Sequence, residues 1–389
     1  MRFAVDAHAI GRHLTGNEVY VRSLLQGFAR VDKTSEFLTY ISMKGAESWV
    51  PERFPLRHVS SNPFIRLGYQ LSRSLARERP ELVHVQYTAP LFCPVPVIVT
   101  IHDVSFLEHP QYFKRGRGMQ LRVTVARTVR SAARVLTVSE FSRSRIAKAY
   151  GLDPDKISVA PYAASSSFRV INREHATQHV RSHFGLSEPF VLSVGDLQPR
   201  KNHIGLIAAF TKLVRAHPAL KHKLVLVGKD TWFGAQVHEA AKNSGVADRI
   251  RFTGFVPDED LLQLYNACDC FAFPSFYEGF GIPILEAMAC GRAVVCSNTS
   301  AMPEVADGAG ILFDPHSTEE ITRAMADVLL DAELRARMER LGLQRATLFN
   351  WQKTAERTLQ VYHEVASGAG TPACRVHTHV DTCSGTCDR

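Results

Sequence analysis

Short apolar segments alternate with longer amphipathic segments along most of the chain. Over residues 18–30, for example, Val21, Leu24, Leu25 and Phe28 recur at helical spacing and fall on one face of a predicted helix. Strands of a parallel sheet that is covered on both faces are near-continuous apolar runs, and helices connect them. The pattern therefore predicts an α/β protein built on parallel sheets.

The predicted strands form two groups separated by a linker. They are residues 2–6, 37–42, 82–86, 97–101, 135–139 and 157–160 in the first group, and 190–194, 223–227, 250–253, 270–273 and 293–296 in the second. Between the groups, residues 163–189 lack a clear periodic core and are predicted to be a linker with one polar helix. We predict two Rossmann-like, doubly wound domains. Ligands of such folds bind beyond the carboxyl ends of the strands, which here means the cleft between the domains.

The predicted domain bounds follow from these groups. The first domain covers residues 1–175, the second covers 185–345, and a helix over 346–365 follows. Residues 366–389 begin with a Gly- and Ser-containing stretch and are predicted to be a disordered tail. The cysteines and histidines of that tail do not match the spacing of a standard zinc module. They are Cys374, His377, His379, Cys383 and Cys387.

Composition places the chain among ordinary packed proteins. It has 389 residues, of which 45% are hydrophobic and 22% are charged, and this excludes disordered and fibrous classes for the chain as a whole. No apolar segment approaches the ~20 residues of a membrane-spanning helix, and the first residues lack the features of a signal peptide. We therefore expect a cytoplasmic protein. Its remaining five cysteines are scattered, mostly in apolar runs, and do not suggest a disulfide framework.

Positive charge is concentrated in the first half of the chain. The net charge is +8, but residues 1–170 hold 24 Lys and Arg against 13 Asp and Glu, a net charge of +11. The basic residues of two helical runs are Arg66, Arg73, Arg77 and Arg79, and then Lys114, Arg115, Arg117, Arg122, Arg127, Arg130 and Arg134. They form either a solvated face or a surface for anionic membrane lipid or an anionic acceptor. Nucleic acid is not an expected partner, because the runs lack interleaved aromatic residues.

Two adjacent cations are candidates for binding a phosphate. The chain contains neither G-x-G-x-x-G after a strand nor a P-loop, which argues against a nicotinamide dehydrogenase and a P-loop NTPase. Arg200 and Lys201 instead follow the predicted strand 190–194 and precede a predicted helix. Cations at that position can clamp a phosphate, since lysine supplies a point charge and arginine a bidentate fork. The alternative is a solvated turn.

A second loop carries two carboxylates and two glycines. In residues 278–286 (EGFGIPILE), Gly279 and Gly281 permit close backbone approach to a ligand. Glu278 and Glu286 can accept paired sugar hydroxyls, so that one holds a ribose and the other a hexose; alternatively, they are only partners of the helix dipole. His102, at the end of strand 97–101, is expected to face the cleft with Asp103, although a lone histidine is more often structural.

These segments together resemble the retaining nucleotide-sugar glycosyltransferases of family 4, in their mannosyltransferase-like branch. The resemblance covers about residues 1–365. Its motifs are residues 14–17 (LTGN), 100–110 (TIHDVSFLEHP), 138–142 (VSEFS), 199–202 (PRKN), 254–257 (GFVP) and 278–286. It implies a GT-B fold, in which two Rossmann-like domains face each other across a cleft. The first domain then binds mainly the acceptor, the second mainly the donor, and the last helix crosses back onto the first domain.

The resemblance also implies roles for individual residues. Arg200 and Lys201 would bind the donor diphosphate, Glu286 the nucleotide ribose, and Glu278 the transferred sugar. The implied backbone and loop contacts are those of Gly279, Phe280 and Gly281 with the sugar, Gly16 with the diphosphate, and Gly254, Phe255 and Val256 with the base. His102 would contact the sugar near its anomeric centre. We count His102, Glu278, Arg200 and Lys201 as catalytic.

The function implied is transfer of a hexose, with retention, from a nucleotide-diphosphate sugar to a glycan, glycolipid or small-molecule acceptor. The branch favours mannose and hence GDP-mannose as donor, and no metal or other cofactor is expected. The basic first domain suggests peripheral binding to an anionic membrane, on its inner face. Two alternatives share the architecture: a sugar-nucleotide epimerase, and a non-catalytic sugar- or lipid-binding protein.

Overall fold

Two parallel sheets, one in each half of the chain, organise the protein. The structure is a computed structural model that describes residues 1–12, 15–113 and 115–368. The strands are β1 Arg2–Asp6, β2 Glu36–Ile41, β3 Leu56–His58, β4 Leu82–Gln86, β5 Val97–Thr100, β6 Arg134–Thr137, β7 Ile157–Val159, β8 Phe190–Val194, β9 Lys223–Val227, β10 Ile250–Gly254, β11 Cys270–Phe273, β12 Val294–Ser297 and β13 Ile311–Phe313. Their orders are β3-β2-β1-β4-β5-β6-β7 and β10-β9-β8-β11-β12-β13.

Helices connect consecutive strands and cover the sheets. Within the described residues they are α1 Thr15–Val31, α2 Pro63–Ile65, α3 Leu71–Glu78, α4 Ser105–Glu108, α5 Arg115–Ser131, α6 Glu140–Tyr150, α7 Arg173–Phe184, α8 His203–Ala216, α9 Gly234–Asn243, α10 Asp258–Ala267, α11 Ile282–Ala289, α12 Met302–Ala306, α13 Thr318–Leu330, α14 Ala332–Ala346 and α15 Trp351–Ala366. The prediction of two doubly wound α/β domains is confirmed, since every strand pair is parallel.

All eleven predicted strands are present, with ends that differ by two residues at most. The sequence pattern missed β3 and β13, which are edge strands of three residues each. Both sheets fall inside the predicted domains, whose bounds at 175 and 185 stay a prediction. Within the predicted linker, α7 packs against α10 of the second domain through buried Ala176 and Val180.

The last helix, α15, packs against the first domain. Gly27 of α1 allows this close contact, because a Cβ atom there would lie 2.7 Å from the Cβ atom of Ala355. The hydroxyl of Tyr362 is 2.6 Å from Nδ1 of buried His84, whose Nε2 is 2.6 Å from Oγ1 of Thr100. Tyr20 of α1 continues the chain of hydrogen bonds to Thr100 at 2.9 Å. These bonds join α15, β4, β5 and α1 next to the cleft.

Two further predictions concern the chain's ends and helices. Apart from residues 366–368, the predicted tail with its cysteines and histidines lies outside the described residues. Among the helices that the structure describes, none combines the length and the apolarity that a bilayer-spanning helix requires.

Candidate active site

The candidate donor site lies where β8 and β11 end. These two strands are neighbours in the second sheet and run parallel, so the segments that follow them emerge at the same edge. Residues Pro199–Lys201 form a short 3-10 turn after β8, just before α8. The loop 274–281 follows β11 and leads into α11. Sheet topology therefore brings the two predicted motifs together.

Glu278 bridges the two predicted cations. Its Oε2 lies 2.7 Å from Nη1 of Arg200, and its Oε1 lies 2.7 Å from Nζ of Lys201. Only 10% of the Glu278 side chain is exposed. Burial acts to raise the pKa of Glu278, but the charges and hydrogen bonds of Arg200 and Lys201 outweigh burial and lower the pKa to about 2. The site thus holds two fixed cations and one carboxylate, an excess of one positive charge.

Contacts within the second domain hold this cluster in place. Arg200 donates from Nη1 to the carbonyl of Tyr277 at 3.1 Å, and its own carbonyl accepts from the backbone N–H of Phe276 at 2.8 Å. The ammonium of Lys201 lies 4.7 Å from the centre of the Phe273 ring. The backbone N–H of Glu278 donates to the hydroxyl of Ser300 at 3.0 Å. Both cations are therefore preorganised rather than free in solvent.

Gly279 makes the contact between the two domains at this point. A Cβ atom on Gly279 would lie 2.4 Å from the carbonyl oxygen of His102 in the first domain. The Gly279 carbonyl accepts from the hydroxyls of Ser139 at 2.7 Å and Ser142 at 3.1 Å. Glycine is required here by the close approach itself. The contact seats the sugar-binding loop predicted from the sequence directly against the end of β5.

The next two loop residues also face this junction. Phe280 is buried, and its ring centre lies 5.4 Å from that of Tyr162 in the segment that connects the domains. Gly281 has φ of +109°, a conformation that favours glycine, and directly precedes α11 with Pro283 in its first turn. The amino end of α11 is thus placed beside the cluster of Arg200, Lys201 and Glu278, as its position after β11 predicts.

His102 is buried at the cleft and is held on both sides of its ring. Its Nε2 donates to Oε1 of Gln86 at 2.8 Å, and its Nδ1 accepts from the hydroxyl of Tyr162. The acceptor-only carbonyl of Gln86 fixes this tautomer. Burial, with a smaller effect of His84, lowers the pKa of His102 to about 3, so the ring is neutral near pH 7. With both nitrogens engaged, the predicted contact of the ring with a sugar stays a prediction.

Asp103, predicted to accompany His102 in the cleft, also has a local partner. Its Oδ1 accepts from the backbone N–H of Ser105 at 2.8 Å and from the Ser105 hydroxyl at 2.5 Å, at the start of α4. Asp103 still adjoins Gly279, since a Cβ atom on Gly279 would lie 2.9 Å from its Cβ. The carboxylate therefore stabilises the backbone that follows β5, where His102 contacts the second domain.

Glu286 lies on α11, eight residues after Glu278 in the chain. Its Oε2 accepts from the hydroxyl of Tyr265 at 2.9 Å. Burial raises the pKa of Glu286 to about 7, although the hydrogen bond from Tyr265 opposes the increase. A carboxyl with this pKa changes charge near neutral pH, which is a property of groups in ligand-binding clefts more often than of surface carboxylates.

The remaining predicted donor residues lie on other loops. Gly254 ends β10 with φ of +70°, Phe255 is exposed with its ring 4.8 Å from the ammonium of Lys229, and Val256 is buried. Gly16 is exposed in the first turn of α1, and a Cβ atom there would meet no described atom within 4 Å. These residues lie at the end of β10, in the segment after it, and at the start of α1, and their predicted roles stay predictions.

Several residues that shape the cleft carry no local signal in the sequence. Ser300 orients the Glu278 backbone from a loop after β12, and Gln86 and Tyr162 fix His102 from distant segments. The carboxylate of Glu304 accepts from the backbone N–H groups of Glu140 at 2.9 Å and Phe141 at 3.1 Å, so a residue of the second domain caps a helix of the first. Among the described residues, no group of three His, Cys, Asp or Glu comes together as a ligand set for a metal.

Comparison with known proteins finds relatives for both halves of the chain. Residues 14–164 match the family described as Glycosyltransferase Family 4, and residues 175–345 match Glycosyl transferases group 1. The O-antigen chain mannosyltransferase B of Escherichia coli is 34% identical over 265 residues, which are 68% of this chain and 69% of that protein. A serotype-specific mannosyltransferase WbdA of Escherichia coli is 28% identical over 73% of this chain, and the match spans 36% of its own length.

A solved structure shares the whole architecture. Anabaena Alr3699/HepE, determined in complex with UDP-glucose, superposes with a TM-score of 0.75 at 20% sequence identity. The superposition covers 94% of this chain and 100% of that one. At this level of identity the likeness concerns the fold, which is the arrangement of two parallel-sheet domains around a cleft.

Proposed function

The chain belongs to the group 1, family 4 glycosyltransferases and has their GT-B fold, as its motifs predicted, and from that membership we propose retaining transfer of a mannosyl group. The donor proposed is a nucleotide-diphosphate sugar, GDP-mannose in the first place, and the acceptor is a hydroxyl of a glycan or a lipid-linked glycan. That the chain is a hexosyltransferase follows from the family. Similarity to two mannosyltransferases supports mannose, and the UDP-glucose complex of HepE supports a nucleotide sugar as the class of donor.

The observation that carries the proposal is the buried cluster of Arg200, Lys201 and Glu278. When the bond between the sugar and the donor phosphate breaks, negative charge grows on the leaving diphosphate. Two preorganised cations in a site with little solvent stabilise that charge at no cost of reorganisation, and such a term is commonly the largest in catalysis. The excess positive charge of the cluster favours an anionic ligand. In this proposal, the two cations rather than a metal ion neutralise the diphosphate.

The protein's other groups position the reactants. The carboxylate of Glu278 is a suitable acceptor for sugar hydroxyls once the diphosphate shares its cations. His102 is a weak base, because burial lowers its pKa to about 3 and its Nδ1 already accepts from the hydroxyl of Tyr162, and we assign it to positioning. The acceptor oxygen then forms a bond to the anomeric carbon as the bond to the phosphate oxygen breaks, and the acceptor's proton passes to the released phosphate. Contact between the domains at Gly279 excludes water and limits hydrolysis.

Peripheral binding to an anionic membrane is the proposed location of the reaction. Arg73, Arg122 and Arg130 are exposed on the first domain, where Phe92 and Val123 are exposed as well. Each basic side chain near an anionic surface contributes about 1 kcal/mol. The sequence prediction was wrong for one member of this basic set: Arg66 is buried, because its side chain turns inward towards Asp6 of β1.

The proposed function is tested by transfer assays with a panel of donors. The protein is incubated with an oligosaccharide acceptor and with GDP-mannose, UDP-glucose and GDP in turn, and both glycoside formation and anomeric configuration are followed by NMR. We expect product from GDP-mannose with the configuration of the donor, and loss of most turnover in Lys201→Ala. Lys212→Ala, which changes an exposed lysine of α8, is the matched control. Inversion of configuration, or wild-type turnover in Lys201→Ala, would contradict the proposal.

A further inference from the structure

A cavity of about 370 Å³ opens in the first domain. Its walls come from the segments after β1 and β4, from α2 and the turn after it, and from α5. Part of the lining, Gln86 and Tyr87, is the same pair that contacts His102: Gln86 through its hydrogen bond, and Tyr87 with its ring centre 5.3 Å from the imidazole. The cavity therefore adjoins the reaction centre from the acceptor side.

Arg66 brings an incompletely paired positive charge into this lining. The residue is only 3% exposed, and its Nε and Nη1 have no hydrogen-bond partner in the part of the chain that the structure describes. Its nearest carboxylate oxygen, Oδ2 of Asp6, is 3.7 Å from Nε, which is too far for a hydrogen bond. Oδ1 of Asp6 is already engaged by the backbone N–H and Nδ1 of His8, at 3.2 Å and 3.0 Å.

Arg12 adds a second guanidinium to the same cavity. Its Nη2 donates to the carbonyl of Ser61, but its buried Nε has no partner among the described residues. Two guanidinium groups thus line the cavity, and within the described residues the only ion pair that either makes is that of Arg66 with Asp6. Four buried donor nitrogens of the lining have no acceptor there: Nε and Nη1 of Arg66, Nε of Arg12 and Nε2 of Gln86. Unsatisfied buried donors, and charged ones above all, are strongly unfavourable, and each instance in a native protein calls for an explanation.

We propose that this cavity binds a phosphate group carried by the acceptor. The inference rests on the proposed glycosyl transfer and names its acceptor class. Each phosphorus of a phosphate or diphosphate that joins a lipid to a sugar keeps two strongly accepting terminal oxygens and one negative charge, which suit the unmet donors of two guanidinium groups. Arginine is the side chain best suited to this recognition, because its planar fork pairs with phosphate oxygens.

The surroundings of the cavity assign that phosphate to a lipid. Phe64 and Leu91 also line the cavity, and they are 79% and 57% exposed. Phe92, beside Leu91, is 79% exposed. Large apolar side chains held in solvent at the mouth of a phosphate pocket are suited to the first part of a hydrocarbon chain. A lipid phosphate seated there directs its attached sugar past Gln86 and Tyr87 towards His102.

Binding of a small lipid phosphate tests this inference directly. Geranyl phosphate is titrated into the full-length protein by calorimetry, with GDP present in excess to occupy the donor site. Geraniol, which lacks the phosphate, and glycerol 3-phosphate, which lacks the hydrocarbon, are the matched ligands. The variants are Arg66→Gln and Arg12→Gln, and Arg30→Gln is the control because Arg30 is exposed at the end of α1, outside the cavity and outside the proposed membrane-binding set.

We expect geranyl phosphate to bind the wild type and Arg30→Gln, and to bind both cavity variants about tenfold more weakly or worse, since each loses charged hydrogen bonds. GDP affinity should not change in any variant. If Arg66→Gln fails to fold, Arg12→Gln decides the question, because its side chain is partly exposed and has no ion pair with Asp6. Failure of GDP to bind would count against the proposed donor, and the binding of geranyl phosphate could still be measured independently of it.

Three outcomes overturn the inference. Geranyl phosphate that does not bind, or that binds no better than geraniol, removes the phosphate site. Wild-type affinity for geranyl phosphate in the folded cavity variants removes the assignment to Arg66 and Arg12. If glycerol 3-phosphate binds as well as geranyl phosphate, the hydrocarbon contributes nothing to binding. The assignment to a lipid is then wrong, and the acceptor is a soluble sugar phosphate.

Discussion

Replacing Glu278 by glutamine should make the free protein less stable and yet make it bind GDP more tightly. In the free protein the Glu278 carboxylate pairs at 2.7 Å with both Arg200 and Lys201. Glutamine removes the charge and leaves two buried cations uncompensated. The diphosphate of GDP is negatively charged. Bound GDP should therefore restore the negative charge that pairs with Arg200 and Lys201, and with it the lost stability.

The size of the effect follows from the pKa of Glu278. A decrease from the ordinary value of 4.5 to about 2 corresponds to about 3 kcal/mol of stabilisation by the folded state. Because the pKa is lowered, this contribution is complete above about pH 4.5 and is lost as the pH falls through about 2. Removing one partner of a buried ion pair lowers the free energy of unfolding by about 3–5 kcal/mol, which agrees with the value from the pKa. At about 2–4 °C per kcal/mol, the melting temperature at pH 7 should fall by about 6–12 °C.

Thermal unfolding with and without GDP measures both effects. The increase in melting temperature caused by saturating GDP should be larger for Glu278→Gln than for the wild type, and the Kd for GDP should be about tenfold lower, because one negative charge no longer competes for the cations. Mannosyl transfer should fall sharply at the same time, since the variant loses the carboxylate that we propose to bind the sugar.

A matched substitution separates this effect from general destabilisation. Glu78 is a half-buried carboxylate that likewise pairs with two arginines, Arg57 at 2.8 Å and Arg77 at 3.3 Å, in the first domain. Glu78→Gln should also lower the melting temperature, but GDP should stabilise it by the same amount as the wild type. The reasoning is refuted if GDP stabilises Glu278→Gln no more than the wild type, because the two cations would then not face the diphosphate.

Three further substitutions test the rest of the site. Gly279→Ala should separate the domains, since its Cβ would lie 2.4 Å from the His102 carbonyl, and should reduce kcat/KM by about a hundredfold or more. Unchanged kcat/KM would contradict the contact between the domains at Gly279. Glu304→Gln should lower the melting temperature by a few degrees, because capping groups contribute about 0.5–2 kcal/mol, and an unchanged value would show that the cap of α6 is not formed. Between pH 6 and 8 the affinity for GDP should rise, because Glu286, with a pKa raised to about 7, becomes a carboxylate that accepts ribose hydroxyls. In Glu286→Gln, titration calorimetry should find a weaker dependence of GDP affinity on pH. An equally steep dependence in this variant would show that another group causes it.

The strands could be predicted because each central strand has its own apolar run. Segments such as Phe190–Val194 and Cys270–Phe273 are buried on both faces, so nearly every residue in them is apolar. Edge strands are different. Leu56–His58 is partly exposed and contains two basic residues, so nothing in its three residues distinguishes it from a loop. It is a strand because β2 offers it hydrogen bonds, which is a property of the neighbouring strand and not of its own sequence.

The cluster of Arg200, Lys201 and Glu278 was predictable for the same reason, and the cavity around Arg66 was not. Arg200, Lys201 and Glu278 follow recognisable strands, and parallel topology brings the ends of those strands together. Arg66 lies in a basic helical run that predicts an exposed face, but its burial depends on Asp6, sixty residues earlier in the chain. Long-range pairs of this kind, like the bond from Ser300 to Glu278, leave no local pattern to read.

A crystal structure with GDP-mannose, or with GDP and mannose, is the most direct measurement of how this enzyme holds its donor. Our account predicts diphosphate oxygens at hydrogen-bond distance, about 2.7–2.9 Å, from the guanidinium of Arg200 and the ammonium of Lys201, beside the amino end of α11. A nucleotide whose diphosphate lies elsewhere in the cleft, with both cations still paired to Glu278 alone, would contradict it.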